Sequence, residues 1–195
     1  MALEAVVLAA GFGARFGGGK LTAPWRDGVL LDGALVAAFA APVRTVTVVW
    51  GADAAVPAAA VIFAKRAGET ERLRLVNAER HAEGLAASLK AGITSLPAEA
   101  NGAFIFLGDM PRIPFSVLAP LAKAVLAGAP AAATVFKETR GHPVLFGRDL
   151  LPRLLDLDGD RGAGGILAKL GDKLALIPSP DDGVLYDVDR PADLT

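Results

Sequence analysis

Residues 8–21 read Leu8-Ala9-Ala10-Gly11-Phe12-Gly13-Ala14-Arg15-Phe16-Gly17-Gly18-Gly19-Lys20-Leu21. The run that leads into them, Ala5–Ala9, carries no charge, as expected of a strand buried on both faces of a parallel sheet. Ligands of open α/β sheets bind beyond the carboxyl ends of the strands, so a glycine loop at that point marks a binding rim. Glycines let the backbone turn its N–H groups inward and approach phosphate oxygens without a Cβ clash. Arg15 adds a bidentate fork and Lys20 a point charge, both suited to the same oxygens.

Two better-known phosphate loops do not fit. A dinucleotide fingerprint, G-x-G-x-x-G, begins at Gly11-Phe12-Gly13 but meets Phe16 at its third glycine, and the loop runs on through Gly17–Gly19 instead of entering a helix. A P-loop, G-x-x-x-x-G-K-[ST], finds its GK at Gly19-Lys20 but has Ala14 at the first glycine and Leu21 at the hydroxyl position.

Outward from the loop, short β-branched or apolar runs alternate with Ala/Leu-rich segments. The runs predict strands over Ala5–Ala9, Val43–Trp50, Ala60–Ala64, Arg72–Asn77, Ala103–Leu107, Ala131–Phe136, Pro143–Phe146, Lys173–Ile177 and Val184–Tyr186. Helices are predicted over Asp32–Ala41, Leu85–Thr94, Phe115–Ala127, Arg148–Leu155 and Ala163–Leu170. The alternation gives an α/β class with a predominantly parallel sheet. A hairpin from Ala131–Phe136 to Pro143–Phe146 would make that sheet mixed. No repeat or long linker divides the 195 residues, so one domain is expected over 1–195.

Bulk chemistry narrows the partners. The formal net charge of −1 gives no global basic field, so neither nucleic acid nor a membrane surface is an expected partner. With no cysteine there are no disulfides or thiolate ligands, and two histidines, His81 and His142, are too few for a histidine zinc cage. The start lacks a basic n-region and carries Glu4, which argues against a signal peptide. No run reaches the ~18 apolar residues of a membrane span, and a soluble cytoplasmic protein is expected.

The loop resembles the LAAG-x-S-x-R-M-G-x-x-K-L signature of the molybdenum-cofactor nucleotidyltransferases, within the wider Rossmann-like nucleotidyltransferase superfamily. Gly13 stands where serine is usual and Phe16 where methionine is usual. Further blocks along the chain resemble that family. Asn77–Ile93 is similar to its N-x-x-x-x-x-G-M-x-x-S-L-x-x-G-L block, Gly108-Asp109-Met110-Pro111 to GDMP, Gly141–Phe146 to GHPVLF, and Asp187–Leu194 to D-I-D-T-P-E-D-L. Gly159–Gly164 resembles GDRGAR, with Gly164 in place of the last arginine.

What the resemblance implies is a three-layer Rossmann-like domain and transfer of a nucleotidyl group to an acceptor phosphate, with release of pyrophosphate. The triphosphate would rest on Leu8, Ala9, Ala10, Gly11 and Gly13, with Arg15, Lys20 and Asp109 as catalytic groups. Asn77 would end a strand near the nucleotide. Ser88 would face the base or ribose, or else bond a helix carbonyl. Mg²⁺ would sit on Asp109, completed by Asp187 or Asp189. A strand through x-D-x-D-x turns both of these aspartates to one side, though Asp189 can also cap a turn begun at Pro191. His142 and Arg161 would meet the acceptor, while His142 reads equally as a turn residue before proline. His81 reads as a solvated loop residue, and Trp25 and Trp50 as packing. Asp156, Asp158 and Asp160 imitate a calcium loop, but Arg161 and Leu167 occupy its required glycine and glutamate.

An acceptor phosphate is already largely ionised at neutral pH, so catalysis needs positioning and charge neutralisation and no dedicated base. In the family LAAG accompanies cytidylyl transfer and LAGG guanylyl transfer, and Ala10 holds the discriminating position. The resemblance therefore implies CTP and a phosphorylated pterin such as molybdopterin, with a molybdenum enzyme as recipient. Guanylyl transfer from GTP, a sugar-phosphate nucleotidyltransferase and a non-catalytic nucleotide-binding chaperone are the alternatives.

Overall fold

A computed structural model describes residues 2–159 and 162–194. Strand β1, Leu3–Ala9, is buried along its whole length and feeds directly into the glycine loop. A small hairpin follows, β2 at Pro24–Trp25 and β3 at Gly28–Val29, then helix α1, Leu30–Ala40. The chain continues through β4 (Val46–Trp50), α2 (Val56–Ala67), β5 (Leu73–Asn77), α3 (Leu85–Thr94) and β6 (Gly102–Leu107). It ends with α4 (Leu118–Leu126), β7 (Ala131–Phe136), β8 (Thr139–Gly147), short α5 (Leu151–Leu154) and α6 (Gly164–Ala168), and β9 (Leu174–Pro178).

Seven strands form the main sheet in the order β5-β4-β1-β6-β8-β7-β9. Only β8 runs against its neighbours, β6 and β7, so the sheet is mixed and mostly parallel as expected. Period-two alternation on β1 sorts the two faces. Leu3, Ala5, Val7 and Ala9 pack with residues of α1, α2 and α4, whereas Val6 and Leu8 pack with residues of α3, α5 and α6. This is a three-layer α/β fold of the Rossmann-like kind. No helix among the described residues is long and apolar enough to cross a membrane.

Two predicted strands are not strands. Ala60–Ala64 lies inside α2, where Val56, Ala60, Phe63 and Ala64 are the buried residues, at helical and not alternating spacing. Alanine-rich sequence favours the helix, and Gly68 ends it in a left-handed conformation after Lys65 and Arg66. Val184–Tyr186 begins on the last residue of a 3-10 turn, Asp182–Val184, whose N-cap Asp181 accepts through its side chain from the Gly183 amide at 2.9 Å. The segment that holds Asp187 and Asp189 is thus outside the sheet.

The β7–β8 hairpin is tighter than predicted, because Lys137 and Glu138 both take positive φ, 45° and 68°, at its tip. Its register shifts between Ala133 and Thr134, leaving His142 and Pro143 in a bulge. At the far end of the sheet Glu4 is fully buried. Its carboxylate accepts from Arg44 Nε at 2.7 Å and from the Thr45 amide and hydroxyl at 3.1 and 2.7 Å.

Candidate active site

The glycine loop leaves β1 at the carboxyl edge of the sheet and folds about one carbonyl. Gly13 O accepts from the amides of Phe16 at 2.9 Å and Gly17 at 3.2 Å. Gly13, Gly17, Gly18 and Gly19 all have positive φ, between 57° and 95°, which explains the run of glycines in place of ordinary turn residues. A Cβ on Gly13 would also stand 3.0 Å from Lys20 Cβ. Glycine in place of the family's usual serine is therefore matched to this loop's own backbone.

Lys20 is drawn into the site by carboxylates. Its Nζ lies 2.6 Å from Asp109 Oδ2 and 3.7 Å from Asp189 Oδ1, with only 13% of its side chain exposed. Arg15, at the exposed crest of the loop, pairs with the other oxygen of Asp189. Burial, then the charges of Asp189 and Asp109, push the Asp187 carboxyl above the usual carboxylate range, and Lys20 opposes them. Three carboxylates and two cations from distant parts of the chain thus meet at one rim.

The terminal segment is held there by backbone and ring contacts. Val188, fully buried, donates its amide to Asp109 O at 3.0 Å. Burying Val188 leaves the flanking aspartates to face the other way, as the predicted alternation demands, although no ladder supports it. The Arg112 guanidinium lies 3.9 Å over the Tyr186 ring, and the Tyr186 hydroxyl donates to Asp193 O. The Asp193 carboxylate accepts from the amides of Asp189 and Arg190 at 3.0 and 2.7 Å. Asp193 thereby caps the final turn, and the Asp189 carboxylate is left to the cations.

A cleft of about 390 Å³ brings together Leu8, Ala9, Ala10, Gly11, Gly13, Lys20, Ser88 and Asp109. Ser88, on α3, is 5% exposed and forms part of its wall. Two residues outside the expected set also line it: Phe12, to which sequence reasoning assigned no role, and His81, read as solvated. Asn77 ends β5 as expected but lines a neighbouring depression with Lys90 and Asp158. His142 is in a smaller adjoining cavity of about 250 Å³, which shares Leu8, Leu85 and Leu107 with the cleft. Its Nδ1 approaches Ile105 O at 3.4 Å, and burial lowers its pKa below the ordinary value. The imidazole is therefore neutral near pH 7. Arg161 lies outside the described residues. Trp25 is buried packing, as expected.

The donor set at the rim suits a hard divalent cation. Mg²⁺ takes one or two protein carboxylates and keeps waters and substrate phosphates for the rest. Among the described residues, no group of three or more acidic or histidine side chains is arranged to hold an ion unaided. Lys20 stands between two of the three carboxylates, with its ammonium where they converge.

The chain matches the family model described as MobA-like NTP transferase domain over residues 5–174. No curated protein sequence matches it. Solved structures do. A homologue of Mycobacterium tuberculosis Rv0371c from Mycobacterium sp. strain JC1 is 27% identical with a TM-score of 0.78, covering 98% of this chain and 92% of that one. Rv0371c from M. tuberculosis H37Rv is 25% identical with a TM-score of 0.81, covering 99% and 95%. Rv0371c has also been solved in complex with manganese. A nucleotidyl transferase from Methanothermobacter thermautotroptrophicus, Mth528, is 23% identical with a TM-score of 0.75, covering 98% and 94%.

Proposed function

The chain belongs to the family of MobA-like NTP transferase domains, and from that premise we propose that it transfers CMP from CTP to the phosphate of a pterin cofactor such as molybdopterin, releasing pyrophosphate. The observation that carries the reading is the meeting of Lys20 with both Asp109 and Asp189 beside the glycine loop. It joins a triphosphate cradle to a carboxylate pair at the carboxyl edge of the sheet.

The whole chain, 1–195, acts as one nucleotidyltransferase domain. Backbone amides from Leu8 to Gly13, with Arg15 and Lys20, hold the triphosphate and orient its α-phosphorus toward the acceptor. Ser88 meets the base or ribose, and Asn77 supports the nucleotide side from the end of β5. The acceptor phosphate needs no base, because it is ionised near pH 7; binding it in line is the main requirement. Asp109, with Asp189 or Asp187, would hold Mg²⁺, as the manganese complex of Rv0371c supports for a related fold. Bound there, the ion would neutralise charge at the α-phosphate.

Neutral His142 fits a hydrogen-bonding role toward the pterin better than a phosphate contact. Its Nδ1 faces a carbonyl, which leaves Nε2 as an acceptor. Arg161 supplies the cation on the acceptor side. Ala10 favours cytosine over guanine, and a molybdenum enzyme receives the product in the cytoplasm.

Pyrophosphate release with CTP against GTP, each with and without molybdopterin, tests the reading. Release that requires both CTP and the pterin is expected. Equal release with GTP, or release with a sugar 1-phosphate and none with the pterin, would overturn the specificity.

A further inference from the structure

Phe12 is 60% exposed at the head of the glycine loop, whereas Phe16 and Leu21 of the same loop pack against the core. An exposed aromatic ring forgoes the burial that normally repays its hydration cost, and Phe12 does so on the wall of the cleft. Its ring centroid lies 5.2 Å from that of His81, with the planes inclined at 51°. His81 comes from the 3-10 turn before α3 and lines the same cleft beside Phe12. Its position is fixed: Nδ1 lies 2.9 Å from Ala78 O and, facing a carbonyl, must carry the proton. The ring fits only because residue 51 is glycine, since a Cβ there would lie 2.6 Å from His81 Cγ. Phe12, between Gly11 and Gly13, has a freer backbone on either side.

Together these are one anchored ring and one exposed ring in the cleft that also holds Lys20, Asp109 and Ser88. We infer that Phe12 and His81 form an aromatic clamp that stacks on the nucleobase of the bound nucleoside triphosphate. The clamp supplies affinity for the base, while the glycine loop and its cations take the phosphates. Stacking is tolerant of base identity, because every base has a π-face. It therefore sets whether a nucleoside is held, and leaves the choice among bases to polar groups such as Ser88. The inference rests on the proposed reading that the cleft takes a nucleoside triphosphate.

Calorimetric titration of CTP and of inorganic tripolyphosphate, each with Mg²⁺, separates the two. A stacked base is worth about a 5- to 150-fold change in affinity. Phe12→Ala and His81→Ala are expected to weaken CTP binding in that range and leave tripolyphosphate binding unchanged, and Phe12→Trp to restore it. Unchanged CTP affinity in Phe12→Ala overturns the clamp. Equal losses for both ligands also overturn it, because they mean that Phe12 shapes the loop. Wild-type protein that binds tripolyphosphate but no nucleoside triphosphate overturns the nucleotide reading itself, and the clamp with it.

Discussion

Lys20 Nζ and Asp109 Oδ2 lie 2.6 Å apart across 89 residues of sequence, and their contact joins the glycine loop to the loop after β6. Both loops leave neighbouring parallel strands, β1 and β6, paired in register from Leu3↔Gly102 to Leu8↔Leu107. The sheet thus sets the contact, and the glycine loop needs only to close over it. Both groups are part-buried, so the charges act on each other and on a ligand with less screening than on the open surface.

Loss of either charge should separate catalysis from folding. Lys20→Met and Asp109→Asn are each expected to lower turnover by about 10²–10³-fold, the range seen when one fixed stabilising group is removed from a transition state. Neither side chain is part of the hydrophobic core, so both variants should melt within a few degrees of the parent. Pyrophosphate release and a thermal melt check the two halves. Near-parental turnover in both variants would sink the assignment.

Restoring the family's usual residue at position 13 should harm this chain. Gly13→Ser places a Cβ at φ +57°, 3.0 Å from Lys20 Cβ. The left-handed backbone costs a non-glycine residue about 1–2 kcal/mol. The strain falls on a loop whose Lys20 must reach Asp109, so weaker triphosphate binding is expected, measured as a raised KM for the nucleotide with the melting temperature lowered by a few degrees. A serine variant that binds the nucleotide more tightly would show that the missing hydroxyl matters more than the backbone.

What was legible in the sequence was what is local. The strand-loop-cation order of 5–21 specifies its own geometry, and Asp109 is placed by the strand before it. The run Ala60-Val61-Ile62-Phe63-Ala64 misled because β-branched and aromatic residues suit a strand, and only the burial of Val56, Ala60, Phe63 and Ala64 reveals the helix. The pairing of Asp189 with Arg15 and Lys20 was not legible, because it depends on Asp193 taking over the cap and on Val188 docking to Asp109. His81 reads as solvated because it lies in a loop, whereas its ring packs against Gly51, thirty residues upstream. The free position between Gly11 and Gly13 gave no reason to single out Phe12.

Glu4 offers a test of stability well away from the candidate site. A fully buried carboxylate is tolerated only with its donors in place, and Arg44 supplies the counter-charge. Arg44→Met leaves Glu4 with the Thr45 amide and hydroxyl alone. A lower unfolding free energy is expected, read from urea denaturation. The double variant Glu4→Met with Arg44→Met should recover part of that loss, since no unpaired charge remains buried. If the single variant is as stable as the parent, the pair contributes nothing and Thr45 alone suffices.

His142 should make the fold sensitive to mild acid. Burial lowers its pKa from the ordinary value of 6.5, against the opposing pull of the Ile105 carbonyl and the Asp109 charge. The native state therefore binds fewer protons than the unfolded chain between the lowered value and the ordinary one. Unfolding takes up a proton in that window, so the stability contributed by a neutral His142 is complete above the ordinary value and is lost as pH falls through the lowered one. His142→Leu removes the titration while keeping an apolar group in a cavity lined by Leu8, Ile105, Val144 and Phe146. The melting temperature of the parent is expected to drop more steeply than that of the variant as pH falls below about 6.5. Parallel curves for the two proteins would mean that His142 is protonated without cost, and would then return it to the list of cations able to meet an acceptor phosphate.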